Sequence, residues 1–377
     1  MRAIVTGQIG VDKRPYLEDV CRLAGERGEN IDLFNVGNMM YSEARDVRAG
    51  RILDLPISRL ASLRRAAFKD IISESSPSED HPNIIVNTHA TFRWRHGLFS
   101  AFDFDQMSLL KPDMLICLVD NVETVHQRLH DEHDIDATLK DCMVWREEEI
   151  LATELLANAM GCHDQFYILS RGRHQDTVET CMRMVTRPDV RRVYPSFPMS
   201  HVVDKPDVLA EIESFRASIA EHFIAFDPAD VDEKLLLDRA LDAARNGDDW
   251  VEIEAHSYGG RKDAPVQRLP VREVLDIAGD IDGQIYMRDF KLVDQSDMIV
   301  SYIPELEGGV PGLSSGVERE LHHAWEHTKE VYVVWKPAKA PSPFITETAT
   351  KIFPSVDDAL AYFEKQGMFP QRNLFGH

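Results

Sequence analysis

Two places in this 377-residue sequence gather side chains whose types and spacing could do chemistry. Toward the carboxy terminus, Ser314-Ser315-Gly316-Val317-Glu318-Arg319-Glu320-Leu321 puts small residues ahead of a helix bearing two carboxylates. A helix that opens on serines and glycine offers its first backbone amides to an anion. Further along, a carboxylate can act as nucleophile or stabilise a developing cation, and Glu320 is the residue assigned that role. Glu318 is its rival; two residues apart on a helix they point about 200° apart, so only one can face a cleft. Leu321 and Ala324 supply the apolar face beside Glu320. Asp289 adds a second carboxyl group, suited to protonating a leaving group. Such a pair fits cleavage at an anomeric carbon through an oxocarbenium-like centre.

The second place is Gly7-Gln8-Ile9-Gly10-Val11-Asp12-Lys13-Arg14, which follows an apolar run and opens a helix. Backbone amides and a lysine in that setting cradle phosphate against the helix amino terminus. Against the pattern GxxxxGK[ST], Gly7 and Lys13 match, while Asp12 replaces the second glycine and Arg14 the metal-binding hydroxyl. Gly7, Gly10 and Lys13 are therefore the expected nucleotide-binding residues of a degenerate loop.

These residues need a scaffold, and the chain alternates strand and helix patterns throughout. Strands are expected at 3–5, 31–34, 83–86, 114–119 and 165–169, with helices at 59–73 and 147–160 between them. A fresh series begins at 192–194 and continues through a helix at 205–222 and strands at 223–226, 298–302 and 331–335, with later helices at 316–327 and 355–366. The expected fold class is α/β, with two doubly wound, Rossmann-like parallel-sheet domains spanning 1–187 and 188–377. The Gly- and charge-rich stretch 248–270 reads as an exposed excursion of the second domain.

In the first half, Gly7-Gln8-Ile9-Gly10, Asn35-Val36-Gly37-Asn38-Met39-Met40, Ile84-Ile85-Val86-Asn87-Thr88-His89-Ala90-Thr91 and Lys111-Pro112-Asp113-Met114-Leu115-Ile116 occur in order. This succession resembles the archaeal type of adenylate kinase, a P-loop nucleoside monophosphate kinase. The resemblance implies an ATP- or AMP-like nucleotide as ligand. Relatives carry Asp where Asn87 stands and arginines where 130–136 is nearly all acidic or His. Phosphoryl transfer rests on charge neutralisation, so a nucleotide-sensing domain with lost turnover is expected. His126, His130 and His133 read as solvated surface.

In the second half, four stretches resemble the nucleoside 2-deoxyribosyltransferase family, which includes deoxynucleoside 5′-monophosphate N-glycosidases. They are Val193-Tyr194-Pro195-Ser196-Phe197-Pro198, Asp289 through Asp297 before an apolar strand, Ser314 through Ala324, and Lys329 through Pro337. The resemblance implies Glu320 as nucleophile, Asp289 as acid, Tyr194 on the active-site strand and Ser196 beside it. Ser314, six residues before Glu320, implies a nucleoside 5′-monophosphate, with Ser315 and Gly316 at the same anion site and Ser342 as a further phosphate contact across subunits of a homo-oligomer. The expected function is hydrolysis, or sugar transfer, at an N-glycosidic bond, with no cofactor required. The alternatives are an active nucleoside monophosphate kinase with an accessory domain, and a noncatalytic nucleotide-binding module. His323 and His327 have i,i+4 spacing but no evident third ligand, so they read as helix surface and no metal is expected.

A formal net charge of −22 argues against nucleic acid or anionic membrane as partners, since both would repel the chain. Five scattered cysteines without a CxxC pair, and no signal-peptide or membrane-spanning pattern, lead to the expectation of a cytoplasmic protein acting on a small nucleotide.

Overall fold

The computed structural model describes residues 1–48, 52, 55–75, 83–94, 97–172, 176–199, 202–254 and 266–369. The chain divides into two α/β units, Met1–Thr186 with Asp230–Asp282, and Arg187–Ala229 with Gly283–His377.

The first unit is built on a five-stranded parallel sheet. Its spatial order is Ile31–Asn35, Asn83–Asn87, Arg2–Thr6, Met114–Val119 and Phe166–Ser170. Strand Met114–Val119 is buried along its whole length, as expected of a parallel strand covered on both faces. Ile4, Val86 and Leu115 of the sheet pack with Phe68 and Ile71 of helix Ile57–Glu74 and with Leu156 of helix Leu139–Ala159. A capping box between Thr138 and Asp141 starts the latter helix, satisfying two backbone amides that would otherwise lack partners.

Residues 230–282 belong with this first unit, whereas the sequence reading assigned them to the second. Chemistry explains the regrouping. Glu233 is fully buried and forms an ion pair with buried Arg146, while its Oε1 also accepts the Val122 amide at 3.3 Å. Gln267 donates to the Glu123 carbonyl at 2.7 Å. Trp250–Glu254 and Val266–Pro270 form an antiparallel pair, so that part of 248–270 is ordered hairpin; 255–265 lie outside the described residues. Glu233→Ala removes the carboxylate that faces the buried Arg146 guanidinium, and urea denaturation should show a loss of about 3–5 kcal/mol.

The second unit carries another five-stranded parallel sheet, ordered Ile224–Ala225, Arg192–Ser196, Met298–Ile303, Glu330–Trp335 and Lys351–Phe353. In chain order this is 2-1-3-4-5, a doubly wound arrangement whose switch point lies between the first and third strands. Ligands of such sheets bind at the carboxyl ends of the strands flanking that point. Val193, Phe215, Phe223, Val300, Val334 and Phe363 form its core. Pro195 sits inside a strand without breaking it. The Val193 carbonyl accepts the Phe226 amide, so alternate residues 193 and 195 face the two-residue edge strand, which ends before it could use an amide from 195.

Candidate functional site

In the first unit, the loop from Gly7 to Asp12 leaves the carboxyl end of the central strand Arg2–Thr6 and enters helix Lys13–Glu26. Gly7 has φ 149°, and a Cβ there would stand 2.6 Å from the Leu118 carbonyl oxygen. Asp12 takes the left-handed conformation at φ 54°, one that aspartate tolerates better than most residues. The loop thus keeps its path although the second glycine is missing. The Asp12 carboxylate lies 3.3 Å from His133 Nε2 and 3.8 Å from Arg128 Nε. Burial works against its charge, but His133, Arg128 and Arg171 outweigh that and hold its pKa below the usual carboxylate value. His133 is exposed, as its sequence context predicts, and from there it reaches Asp12 of this loop.

Lys13 is buried, and its Nζ donates to the Gly7 carbonyl at 2.7 Å and approaches His89 Nδ1 at 3.2 Å. Burial pushes the Lys13 ammonium down to about 8, against the pull of Glu149, Cys117 and Asp12. Desolvation and the neighbouring Lys13 charge push His89 below the ordinary imidazole value. Glu149 ties the site together: Oε1 accepts the amides of Gly7 at 3.1 Å and Ala90 at 2.8 Å, and Oε2 accepts the Thr91 amide and hydroxyl at 2.9 and 2.6 Å.

Cations stand beside the loop despite the acidic stretch 130–136. Arg128 donates to the Gly10 carbonyl at 3.2 Å and to Asp120 Oδ2 at 2.8 Å, and Arg171 donates to the Val11 carbonyl. Sequence reasoning missed Glu149, Arg128, Arg171, His89 and Asp120. One signal was present for Glu149: Cys142, Arg146, Glu149 and Thr153 recur at helical spacing on the buried face of helix Leu139–Ala159, placing charged residues at core positions. Among the usual magnesium positions, Arg14 replaces the hydroxyl and reaches toward Glu18 at 3.7 Å, while the Asn87 amide donates to Asn35 at 2.8 Å. These residues do not fit a protein-held magnesium ion at those positions.

In the second unit, Tyr194 and Ser196 lie two apart on strand Arg192–Ser196 and so share one face. Their hydroxyls converge on one carboxylate. Tyr194 donates to Glu320 Oε1 at 3.0 Å and Ser196 to Glu320 Oε2 at 2.6 Å. Glu320 comes from helix Ser315–Glu326, which follows the neighbouring strand Met298–Ile303. Burial raises the Glu320 pKa, and the Ser196 and Tyr194 hydrogen bonds oppose that rise. Glu318, two residues away on the helix, is exposed. Burial, then the charges of Glu320 and Asp289, drive the Tyr194 hydroxyl well above the ordinary phenol value.

The remaining expected residues fall into place less fully. Ser314 caps the helix, its Oγ accepting the Val317 amide at 3.2 Å, with its own proton still able to donate. Ser315 and Gly316 are exposed in the first turn. Ser342 heads the four-residue helix Pro343–Thr346, where its backbone carbonyl accepts the Ile345 and Thr346 amides at 2.9 and 3.0 Å. His323 and His327, expected from sequence to have no third group beside them, have Asp294 of another helix close by, with one ligand-type atom of each within 4.8 Å of the others.

Comparison with known proteins bears on the first unit. A family profile described as an AAA domain matches residues 6–141. Adenylate kinases of Pyrococcus furiosus and Pyrococcus abyssi are 28% and 27% identical over 182 residues, covering 46% of this chain and 86% of each relative. The solved structure of shikimate kinase from Bacteroides thetaiotaomicron aligns with a TM-score of 0.32 and 11% identity over 49% of this chain and 95% of that one. The amino-terminal part of the chain carries a P-loop kinase-like domain. These matches lend no support to the deoxyribosyltransferase resemblance of the second unit, and they favour the kinase alternative over the glycosidase expectation. Among the described residues, no helix is long and apolar enough to cross a membrane.

Proposed function

We propose that the first unit binds a nucleoside phosphate at the loop Gly7–Asp12 with Lys13, and transfers a phosphoryl group to a nucleoside monophosphate. The observation that carries this reading is the buried Lys13 at the mouth of a glycine-gated loop, with Arg128 and Arg171 beside it. Likeness to adenylate kinases supports the substrate class. An oxygen of the acceptor phosphate attacks the γ-phosphorus, the bond to the β–γ bridging oxygen breaks, and two diphosphates leave. Such transfer is mainly positioning and charge neutralisation. Lys13 supplies the charge, exchanging the Gly7 carbonyl for a phosphate oxygen. All five cysteines are free thiols, which suits work in a reducing cytoplasm.

The test is direct. Purified protein is incubated with ATP and each nucleoside monophosphate in turn, and the nucleotides are separated by ion-exchange chromatography. Diphosphate formed from one acceptor above the others is expected. Equal turnover by wild type and Lys13→Met would sink the proposal.

A second reading concerns the second unit, and the seat of Glu320 between Tyr194 and Ser196 favours it. There the substrate is a nucleoside 5′-monophosphate whose N-glycosidic bond is cut. Glu320 attacks or stabilises C1′ while Asp289 gives a proton to the departing base. Water, or a second base, then takes the sugar and restores Glu320. Ser314, Ser315 and Gly316 offer donors to the 5′-phosphate at the helix amino terminus.

A further inference from the structure

We infer that Asp294, His323 and His327 form a binding site for a divalent transition metal of the zinc class. This rests on neither reading of the function. His323 and His327 stand one helical turn apart, the spacing by which two imidazoles on one helix face share a zinc ion. Asp294 closes helix Ala278–Asp294 and brings its Oδ1 to 2.7 Å from His323 Nε2. One ligand atom from each of the three residues lies within 4.8 Å of the others.

The surrounding contacts prepare these groups as ligands. His327 Nδ1 stands 2.8 Å from the His323 carbonyl oxygen. A hydrogen bond there places the ring proton on Nδ1 and leaves the Nε2 lone pair outward, which is how metal-binding histidines are commonly oriented. The Lys329 ammonium donates to the Asp294 and Ser296 carbonyls at 2.7 and 2.6 Å, so it braces the helix end by its backbone. The ring of Phe290 packs against His323 with centroids 4.6 Å apart. Two imidazoles and one carboxylate suit zinc, cobalt or nickel, whereas magnesium and calcium call for oxygen donors. Three protein ligands leave a fourth position for water.

The site also has a place in the unit's architecture. Helix Ala278–Asp294 carries Asp289 as well as Asp294, and helix Ser315–Glu326 carries Glu320 as well as His323. A metal there fastens together the two helices that bear these carboxylates.

The experiment titrates Co2+ into the metal-free full chain, following its visible ligand-field absorption, and measures Tm with and without Zn2+. Wild type should bind with the bands of a four-coordinate nitrogen and oxygen site and gain several degrees in Tm. His327→Gln and Asp294→Asn should weaken binding by about 100-fold or more and abolish the Tm gain. His322→Gln, on the neighbouring exposed histidine, should keep both. Far-ultraviolet circular dichroism checks that each variant is folded. No Co2+ bands in wild type, or bands that survive His327→Gln, would overturn the site. So would loss of binding in His322→Gln alone.

Discussion

Lys13→Met lowers phosphoryl transfer by about 100- to 1,000-fold, the scale expected when one preorganised donor to a developing charge is removed. The measurement is diphosphate formation at saturating ATP, with nucleotide binding followed separately by calorimetry. The wild-type protein carries its own signature of this residue. Burial holds the Lys13 ammonium at about 8 rather than its ordinary 10.5. Free protein therefore loses that charge as pH rises through about 8, and nucleotide affinity falls above it. Lys13→Met removes this dependence. The stability effect runs the other way. Between about 8 and 10.5 the unfolded chain still holds a proton that the folded chain has released, so folding stability rises with pH in that window. An affinity profile that is flat in wild type through that range would remove Lys13 from the phosphate site.

Glu320→Gln is expected to cut base release from a nucleoside 5′-monophosphate by about 1,000-fold or more, because it removes the group that meets the anomeric carbon. The substitution is mild for the fold. The Tyr194 and Ser196 hydroxyls can each donate or accept, so they can reorient to meet an amide. Free base is measured by reversed-phase chromatography, and Tm should stay near that of wild type. Glu318→Gln, on the exposed face, leaves the rate unchanged. The pH profile adds a second readout. Burial lifts Glu320 above the ordinary carboxylate value, so the acid limb of wild-type activity sits at higher pH than a solvent-exposed glutamate would give. Base release that persists in Glu320→Gln would end the second reading, and it would leave the phosphoryl-transfer proposal untouched.

Much of the architecture was legible in the sequence because it follows from short-range pattern. The strands at 83–87, 114–119, 298–303 and 330–335 are mainly apolar runs bounded by turn residues, and runs of that kind bury on both faces of a parallel sheet. Gly7, Lys13 and Glu320 could be singled out because each stands at a helix entry or on a helix face with a recognisable local signature.

What the sequence alone determined was therefore the α/β class, the glycine-and-lysine loop that opens the first helix, and a later helix offering two carboxylates. The choice between Glu318 and Glu320 waited for the hydroxyls of Tyr194 and Ser196, which reach Glu320 from a strand more than a hundred residues earlier. The grouping of 230–282 with the first unit was hidden for a similar reason: Glu233 and Arg146 are 87 residues apart, and nothing local to either names the other as its partner. Glu149 and Arg128 gather around the loop in the same way, and Asp294 meets His323 and His327 from another helix. Local pattern decides which faces are buried; only the folded chain decides which charges, brought together out of water, must find one another.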